Sequence, residues 1–510
     1  MKVRSVVSNT VINIGYTIAS FVIAYVMTPI ILHRMGTEQY GTWVFLGIFS
    51  ITGYFSLLDL GFGGATIKYV AEYRGRNDHE RLEGVVNATL LFFVCSGIIG
   101  GLALALFNAF AFDAVFHLPD AQRSLITFLV NLIAISFFFQ FPALALSSII
   151  EGIQRYDYLR AVTFAMTVIS NLVILLFLKP GNSLLFMVMT SIITALAITV
   201  SYGIIVRRIL PTVHFRFRSI TKDVVRSLLI LSSKLFASKI VGLIFNNTDK
   251  ILIGIFLTVA DQTDYDIVNK LHLILLSMLS MFNQAILPNA SEHHAQDNRN
   301  ALRQLLIRMT KYSSAIILPA YLLLLITPKQ IITIWVGGEF ARLSYLVQLY
   351  ASHIVITMLV GVSSTMLVSI NRVGKALSIS IWAAALNFVI SISTVHSLGI
   401  AGLILGTVIS YIISSFLYIR ATNNIFGIPH LNFLKSVVLP LIVPSLACSF
   451  ILIGIQKFAP VSGLFAWFLL AAVTYVVFFV VFVACGMNNN ERQYFLGRLT
   501  RRGKEGLPSS

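Results

Sequence analysis

Long apolar segments dominate the chain, and their length is the feature that most constrains its fold. A helix that crosses a bilayer needs about 20 mostly apolar residues, and hydrophobic residues make up 57% of the 510 positions. Charged residues account for only 11%, whereas soluble globular domains carry about 25%. These values predict an all-α polytopic membrane protein with about fourteen transmembrane helices and argue against a soluble nucleic-acid-binding protein. The predicted spans are 11–31, 42–60, 85–111, 124–150, 162–178, 184–206, 235–257, 267–289, 312–335, 347–370, 377–396, 400–420, 437–456 and 464–486.

Lysine and arginine residues are distributed unevenly over the connections between these spans. The even-numbered connections and both tails hold 27 of them, and the odd-numbered connections hold six. Because basic residues collect in cytoplasmic loops, the split predicts that both termini are cytoplasmic. The seventh connection, 258–266, carries three aspartates and no basic residue, which is typical of an outside loop. The net charge of +17 therefore reflects topology.

Motifs of enzyme, cofactor and metal chemistry are absent from the sequence. It contains no GxxxxGK[ST] loop for nucleotide phosphates, no HExxH motif and no Cys/His cluster at metal-ligand spacing. The three cysteines, Cys95, Cys448 and Cys485, lie in apolar runs and indicate no disulfide framework. The sequence thus predicts neither an enzyme nor a bound cofactor.

The seventh predicted span is the richest in polar residues. At 100° per residue, Lys239, Asn246 and Lys250 fall within about 40° of one another on the helix. Such a stripe is costly against lipid, so it favours a wet cavity and predicts contacts to a substrate. The alternative is that the lysines snorkel to headgroups or pair with carboxylates. Asp249 lies about 100° from Lys250, so these two residues do not face each other.

Four other charged residues are candidate site residues. Asp59 and Asp249 are candidates for binding a coupling ion, because carboxylates within spans are costly and often functional. Arg34 is a candidate anion contact at the cavity mouth, or an ordinary solvated charge. Lys270 is a candidate substrate contact, or the partner of Asp266 four residues earlier. For Asp59 the alternative is a cap or turn before the next helical stretch.

Six short motifs follow one another through most of the chain. They are GTEQYGTW at 36–43, LLDLG at 57–61, KYVAE at 68–72, SKL at 233–235, DKILIG at 249–254 and GIAG at 399–402. In this order and at this spacing they resemble the motifs of Wzx-type polysaccharide flippases.

The resemblance implies the fold of the multidrug/oligosaccharidyl-lipid/polysaccharide exporters. In that fold two six-helix lobes surround a central cavity and alternate between inward-open and outward-open states, and fourteen-span members add two C-terminal helices. The implied divisions are an N-terminal lobe at 1–210, a basic cytoplasmic linker at 211–234, a C-terminal lobe at 235–430, two additional helices at 431–486 and a basic tail at 487–510.

The implied substrate is an undecaprenyl-diphosphate-linked oligosaccharide repeat unit, moved from the inner to the outer leaflet of a bacterial cytoplasmic membrane. Coupling to a proton or sodium gradient and contact with polymerase machinery are further expectations. Three alternatives stay open: a cation-coupled multidrug exporter of the same fold, a lipid II flippase, and a membrane polysaccharide polymerase or glycosyltransferase.

Overall fold

The computed structural model describes residues 3–51, 53–116, 120–181, 183–211, 214, 216–458, 463–489 and 491–493. All of the longer regular elements in these ranges are α-helices. Their bounds are α1 Val3–Met35, α2 Thr37–Leu46, α3 Phe62–Gly75, α4 His79–Phe110, α5 Phe112–Val115, α6 Asp120–Gly152, α7 Tyr156–Phe177, α8 Ser183–Ile209, α9 Lys222–Phe256, α10 Val259–Ala295, α11 Arg299–Ile326, α12 Pro328–Trp335, α13 Ser344–Ala351, α14 Ile354–Thr357, α15 Gly361–Ser369, α16 Val373–Leu398, α17 Ile400–Phe426, α18 His430–Phe458 and α19 Leu464–Val481. Short 3-10 turns occur at Gly47–Phe49, Tyr54–Asp59, Phe217–Ser219 and Gly338–Leu343, and a π-helical turn at Phe482–Gly486 ends the last span.

The count of spans agrees approximately with the fourteen predicted. Within the described ranges, twelve helical segments are long and apolar enough to cross a membrane. A thirteenth is the bent pair Gly338–Thr357 and Gly361–Ser369, whose axes differ by 46°. The remaining predicted span coincides with α9, a single helix of 35 residues. At 1.5 Å per residue α9 is about 52 Å long, which exceeds the roughly 30 Å hydrocarbon core of a bilayer.

The segment 258–266 is mostly helical and not a loop, because α10 begins at Val259. That this connection lies outside the membrane stays a prediction. The carboxylate of Asp261 accepts hydrogen bonds from the backbone N–H (2.9 Å) and the hydroxyl (2.6 Å) of Thr258. Thr258 Oγ1 in turn accepts from the N–H of Asp261 at 3.3 Å. This reciprocal cap satisfies N–H groups at the start of the helix. The aspartates that suggested a loop are therefore the residues that begin a helix.

The helices form two compact units, 1–263 and 264–510. In the first unit α9 packs against α3 and α4, beside the packed pair α4 and α6. In the second unit the most extensively packed helices are α16 and α17. They are joined at Gly399, whose φ is 57°. The sequence predicts a linker at 211–234 and a C-terminal lobe that begins at 235. In the structure both boundaries fall within or before α9, and α9 packs against helices of the first unit. The division into two six-helix lobes stays a prediction.

Gly61 fixes how α9 meets the turn that precedes α3. Its φ is +79°, and a Cβ atom there would lie 2.4 Å from the carbonyl oxygen of Ser232 on α9. The site therefore requires both a left-handed backbone and close backbone approach, which favours glycine. Without a side chain at Gly61, the turn at 59–61 comes near enough to α9 for side chains of the two elements to pair.

Gly61→Ala is expected to lower the midpoint of thermal unfolding of the purified protein in detergent. A left-handed alanine costs about 1–3 kcal/mol, and the contact with Ser232 adds to this. Gly75→Ala is the control, because a Cβ at Gly75 meets nothing within 4 Å and the residue ends the same α3 helix. Equal melting of the two variants would contradict the close approach.

Candidate functional site

The turn at the end of the second predicted span holds Asp59 in a fixed position. A 3-10 turn ends at Asp59, and Leu60 and Gly61 follow with φ of 46° and 79°. The chain then enters α3, and Asp59 Oδ1 accepts a hydrogen bond from the N–H of Gly63 at 2.8 Å. Asp59 therefore satisfies an N–H group in the first turn of α3, as expected for a residue in the turn before a helix, and its second oxygen can accept from another partner.

That second oxygen pairs with Lys239 of α9. The Nζ atom of Lys239 lies 2.5 Å from Asp59 Oδ2, within the first unit. The two side chains are 34% and 15% exposed, respectively. From the sequence, Lys239 is a candidate for substrate and Asp59 for a coupling ion, but no local pattern predicts that the two residues pair. An ion pair that is partly open to solvent can exchange its carboxylate for another anion.

Lys250, three turns farther along α9, is half-buried and makes no hydrogen bond or ion pair with the described residues. As expected from the helix geometry, its neighbour Asp249 does not neutralise it. Asp249 is 4% exposed and lies in electrostatic range of Tyr54, whose hydroxyl is hydrogen bonded to Thr248. The side chain of Asn246, the third member of the predicted stripe, lies outside the described residues.

The two other predicted substrate contacts have partners within the protein. The guanidinium of Arg34 donates to three backbone carbonyls at the end of α7, those of Ile174 (3.3 Å), Leu175 and Leu178 (3.4 Å). It therefore caps the carbonyl end of that helix. Lys270 lies 2.8 Å from Asp266, which is the i,i+4 pair given as the alternative in the sequence analysis.

A cavity of about 320 Å³ between α1 and α7 was not anticipated from the sequence. Arg160 lines it beside three aromatic rings, and a guanidinium suits phosphate groups. In the sequence Arg160 counts only as one more loop cation, since nothing local shows that α1 packs beside it. The lining residues are Tyr16, Ser20, Phe21, Ala24, Arg160, Thr163 and Phe164. In the same described ranges, no three His, Cys, Asp or Glu side chains are grouped to hold a metal ion.

Comparison with known proteins identifies the family of this chain. Residues 6–294, more than half of the chain, match the model of the polysaccharide biosynthesis protein family. The chain belongs to this family. The polysaccharide biosynthesis model covers almost all of the first unit, including the Asp59–Lys239 pair and Lys250.

Two individual proteins are also similar to this chain, each at little more than 20% identity. The probable low-salt glycan biosynthesis flippase Agl15 of Haloferax volcanii is 22% identical over 48% of this chain, and the match spans about half (51%) of Agl15. The uncharacterized membrane protein EpsK of Bacillus subtilis is 21% identical over 84% of this chain and 85% of its own length.

Solved structures show the same fold. The lipid II flippase MurJ in an inward closed conformation has a TM-score of 0.69 at 15% identity, and the alignment covers 92% of this chain and 97% of MurJ. An inward-facing multidrug resistance MATE transporter of the MOP superfamily has a TM-score of 0.63 at 14% identity. This alignment covers 81% of this chain and 94% of the MATE transporter. The predicted fold class is confirmed. Agl15 and MurJ are named as flippases and the MATE protein as a transporter, so none of these three relatives is named as an enzyme.

Proposed function

We propose that this protein moves undecaprenyl-diphosphate-linked oligosaccharide repeat units from the inner to the outer leaflet of a bacterial cytoplasmic membrane, for surface polysaccharide synthesis. The observation that carries the proposal is the pair of lysines on α9, Lys239 with one carboxylate and Lys250 with none among the described residues. A diphosphate is strongly anionic, and ammonium groups in a partly desolvated site attract it. Membership in the polysaccharide biosynthesis family supports the class of substrate.

The spacing of the two lysines suits stepwise movement of the diphosphate. Eleven residues separate Lys239 from Lys250, which is about 16 Å along the helix and about 20° around it. Both cations therefore lie on one face at different depths, Lys239 nearer the predicted cytoplasmic end. In the proposed cycle the diphosphate first displaces Asp59 from Lys239 and then passes to Lys250, while the lipid tail stays in the bilayer.

Ion coupling follows from the carboxylate that is displaced. Once Lys239 binds the diphosphate, Asp59 keeps its hydrogen bond from Gly63 but loses its counter-charge. Taking up a proton or a sodium ion would then neutralise Asp59, with Asp249 on α9 as the second candidate. The two lobes, the central cavity, cytoplasmic termini and contact with a polysaccharide polymerase belong to the same proposal.

Deleting the gene is expected to abolish the surface polymer and to leave single lipid-linked repeat units on the cytoplasmic leaflet. The measurement is extraction of surface polysaccharide and of undecaprenyl-linked intermediates. Lys250→Gln, supplied in place of the native gene, is expected to reduce polymer about ten- to hundredfold, because a hydrogen bond to a charged group contributes about 1.5–3 kcal/mol.

The matched control is Lys222→Gln, which removes an exposed lysine at the first turn of the same helix and is expected to export normally. Normal polymer after gene deletion, with lost resistance to cationic drugs, would replace this proposal with a multidrug exporter. Accumulation of lipid II with normal surface polymer would replace it with a cell-wall precursor flippase.

A further inference from the structure

A closed cluster of two histidines and two tyrosines lies inside the second unit. His272 of α10 and His353, which immediately precedes α14, are 3% and 0% exposed. Their Nε2 atoms are 2.9 Å apart, and His353 Nδ1 lies 2.9 Å from Thr357 Oγ1. Two imidazoles that are this close and this buried form one hydrogen-bonded unit.

Aromatic rings cover both faces of this unit. Tyr350 of α13 stacks on His272 at 3.8 Å between centroids, and Tyr411 of α17 stacks on His353 at 4.3 Å. In the part of the chain that the structure describes, the titratable groups that stack on the pair are therefore these two phenols. Among the described residues, the hydrogen bonds and ring contacts of the histidines include no carboxylate, ammonium or guanidinium group.

The geometry sets how many protons the packed pair can hold. At 2.9 Å one Nε2 atom must donate and the other must accept, so a single proton lies between the rings. His272 Nδ1 is buried without a hydrogen-bond partner in the described part of the chain. An empty acceptor there costs less than an unsatisfied donor, which favours donation from His272 Nε2–H to His353 and from His353 Nδ1–H to Thr357.

The pair lies beside the break in the bent span. The two segments of that span, which meet between Thr357 and Gly361, differ in direction by 46°. Helix α10 contacts this span at a second level as well, where a Cβ at Gly361 would lie 2.7 Å from Leu279. His272 and Leu279 are seven residues apart and so share one face of α10. The histidines therefore join two elements at the point where one of them bends.

We propose that His272 and His353 form a proton-binding site whose loading is coupled to separation of α10 from the bent span. While packed, the pair is neutral, because an imidazolium buried without a carboxylate is strongly disfavoured. On separation both rings reach water. The Nε2 lone pair of His353, which accepted the hydrogen bond from His272, then takes up a proton from the solvent. Acid therefore favours the separated state. Within the proposed function, on which this last step rests, the site supplies the coupling proton for transport.

The test is hydrogen–deuterium exchange of the full chain in nanodiscs of phosphatidylethanolamine and phosphatidylglycerol, at a series of pH values from mildly acidic to mildly alkaline. After correction for intrinsic rates, the opening of segment 344–369 is expected to increase about tenfold per pH unit for each proton taken up, below about pH 6.5. The non-titrating double variant His272→Gln/His353→Gln is expected to show no such slope. His294→Gln, at an exposed position on the same α10 helix, is expected to keep it.

The proton site would be overturned if the opening of segment 344–369 in the wild type did not change with pH. It would also be overturned if the pH dependence of this opening persisted in the double variant. If the double variant does not fold, NMR of ¹⁵N-histidine-labelled wild-type protein decides: two buried histidines in opposite tautomers are expected, and two identical tautomers would contradict the pair. Neither readout needs a substrate, so both survive failure of the proposed function. The coupling role fails if export by the double variant keeps the wild-type pH profile.

Discussion

Lys239→Gln is expected to reduce surface polysaccharide about ten- to hundredfold while leaving most of the protein folded. The loss in transport follows from removing an ammonium group that binds the diphosphate, worth about 1.5–3 kcal/mol. The expected loss in folding stability is smaller than the loss in transport, because Asp59 keeps its hydrogen bond from Gly63 and the Asp59–Lys239 pair is partly exposed. Polymer yield is compared at matched levels of protein in the membrane.

The double variant Asp59→Asn/Lys239→Gln separates a substrate role from a purely structural one. The introduced asparagine retains an oxygen for the N–H of Gly63, and the two neutral amides can hydrogen bond in place of the ion pair. A structural role alone predicts that export recovers with folding. A substrate role predicts a folded protein that does not export. Arg76→Gln is the matched control, because it removes a cation from the exposed Arg76–Glu72 pair of the neighbouring α3 helix, and export is expected to be unchanged.

The spans and the local pairs of this protein could be predicted from the sequence because both depend on nearby residues. Hydropathy is a sum over adjacent positions, and it places α16 and α17 on either side of a connection only one residue long. The Lys270–Asp266 pair likewise follows from spacing on one helix. For the same reason Asp59 could be interpreted as a cap before α3.

Pairs between distant segments could not be predicted in this way. Asp59 and Lys239 are 180 residues apart, and they meet because the backbone at Gly61 approaches α9 closely. His272 and His353 are 81 residues apart, and each is an isolated histidine in an apolar segment. Which charges meet depends on helix packing and register, which no local pattern determines. The helical start of α10 within 258–266 could not be predicted for a related reason, because aspartates both begin helices and populate loops.

The second large expected effect concerns the ion pair between Lys311 of α11 and Glu491, which follows the last span. Lys311 Nζ lies 2.8 and 2.5 Å from the two carboxylate oxygens, and the side chains are 6% and 12% exposed. Glu491 also accepts from the N–H of Asn488 at 3.0 Å. The ion pair thus links α11 to the chain that follows the π-helical turn. From the sequence, Lys311 is only one more basic residue of an even-numbered connection.

Glu491→Gln is expected to destabilise the folded protein by about 3–5 kcal/mol, because it leaves the buried Lys311 without its counter-charge. The measurement is thermal unfolding of purified protein in detergent near neutral pH. Lys311→Met/Glu491→Leu removes both charges and is expected to melt much closer to wild type than either single variant. Arg299→Gln, at an exposed position at the start of the same α11 helix, is expected to change stability by less than about 0.5 kcal/mol.

The pH dependence of this effect distinguishes an ion pair from simple packing. Burial by itself raises the pKa of Glu491, but hydrogen bonds from Lys311 and from the backbone of Asn488 outweigh it, so the pKa lies below its usual value of 4.5. A carboxyl whose folded pKa is lowered stabilises the protein above its unfolded pKa and loses that contribution as the pH falls through the folded pKa. The gap between wild type and Glu491→Gln is therefore expected to be full near neutral pH and to narrow below pH 4.5. A gap that stayed constant into acid would mean that Glu491 acts through shape and not through charge.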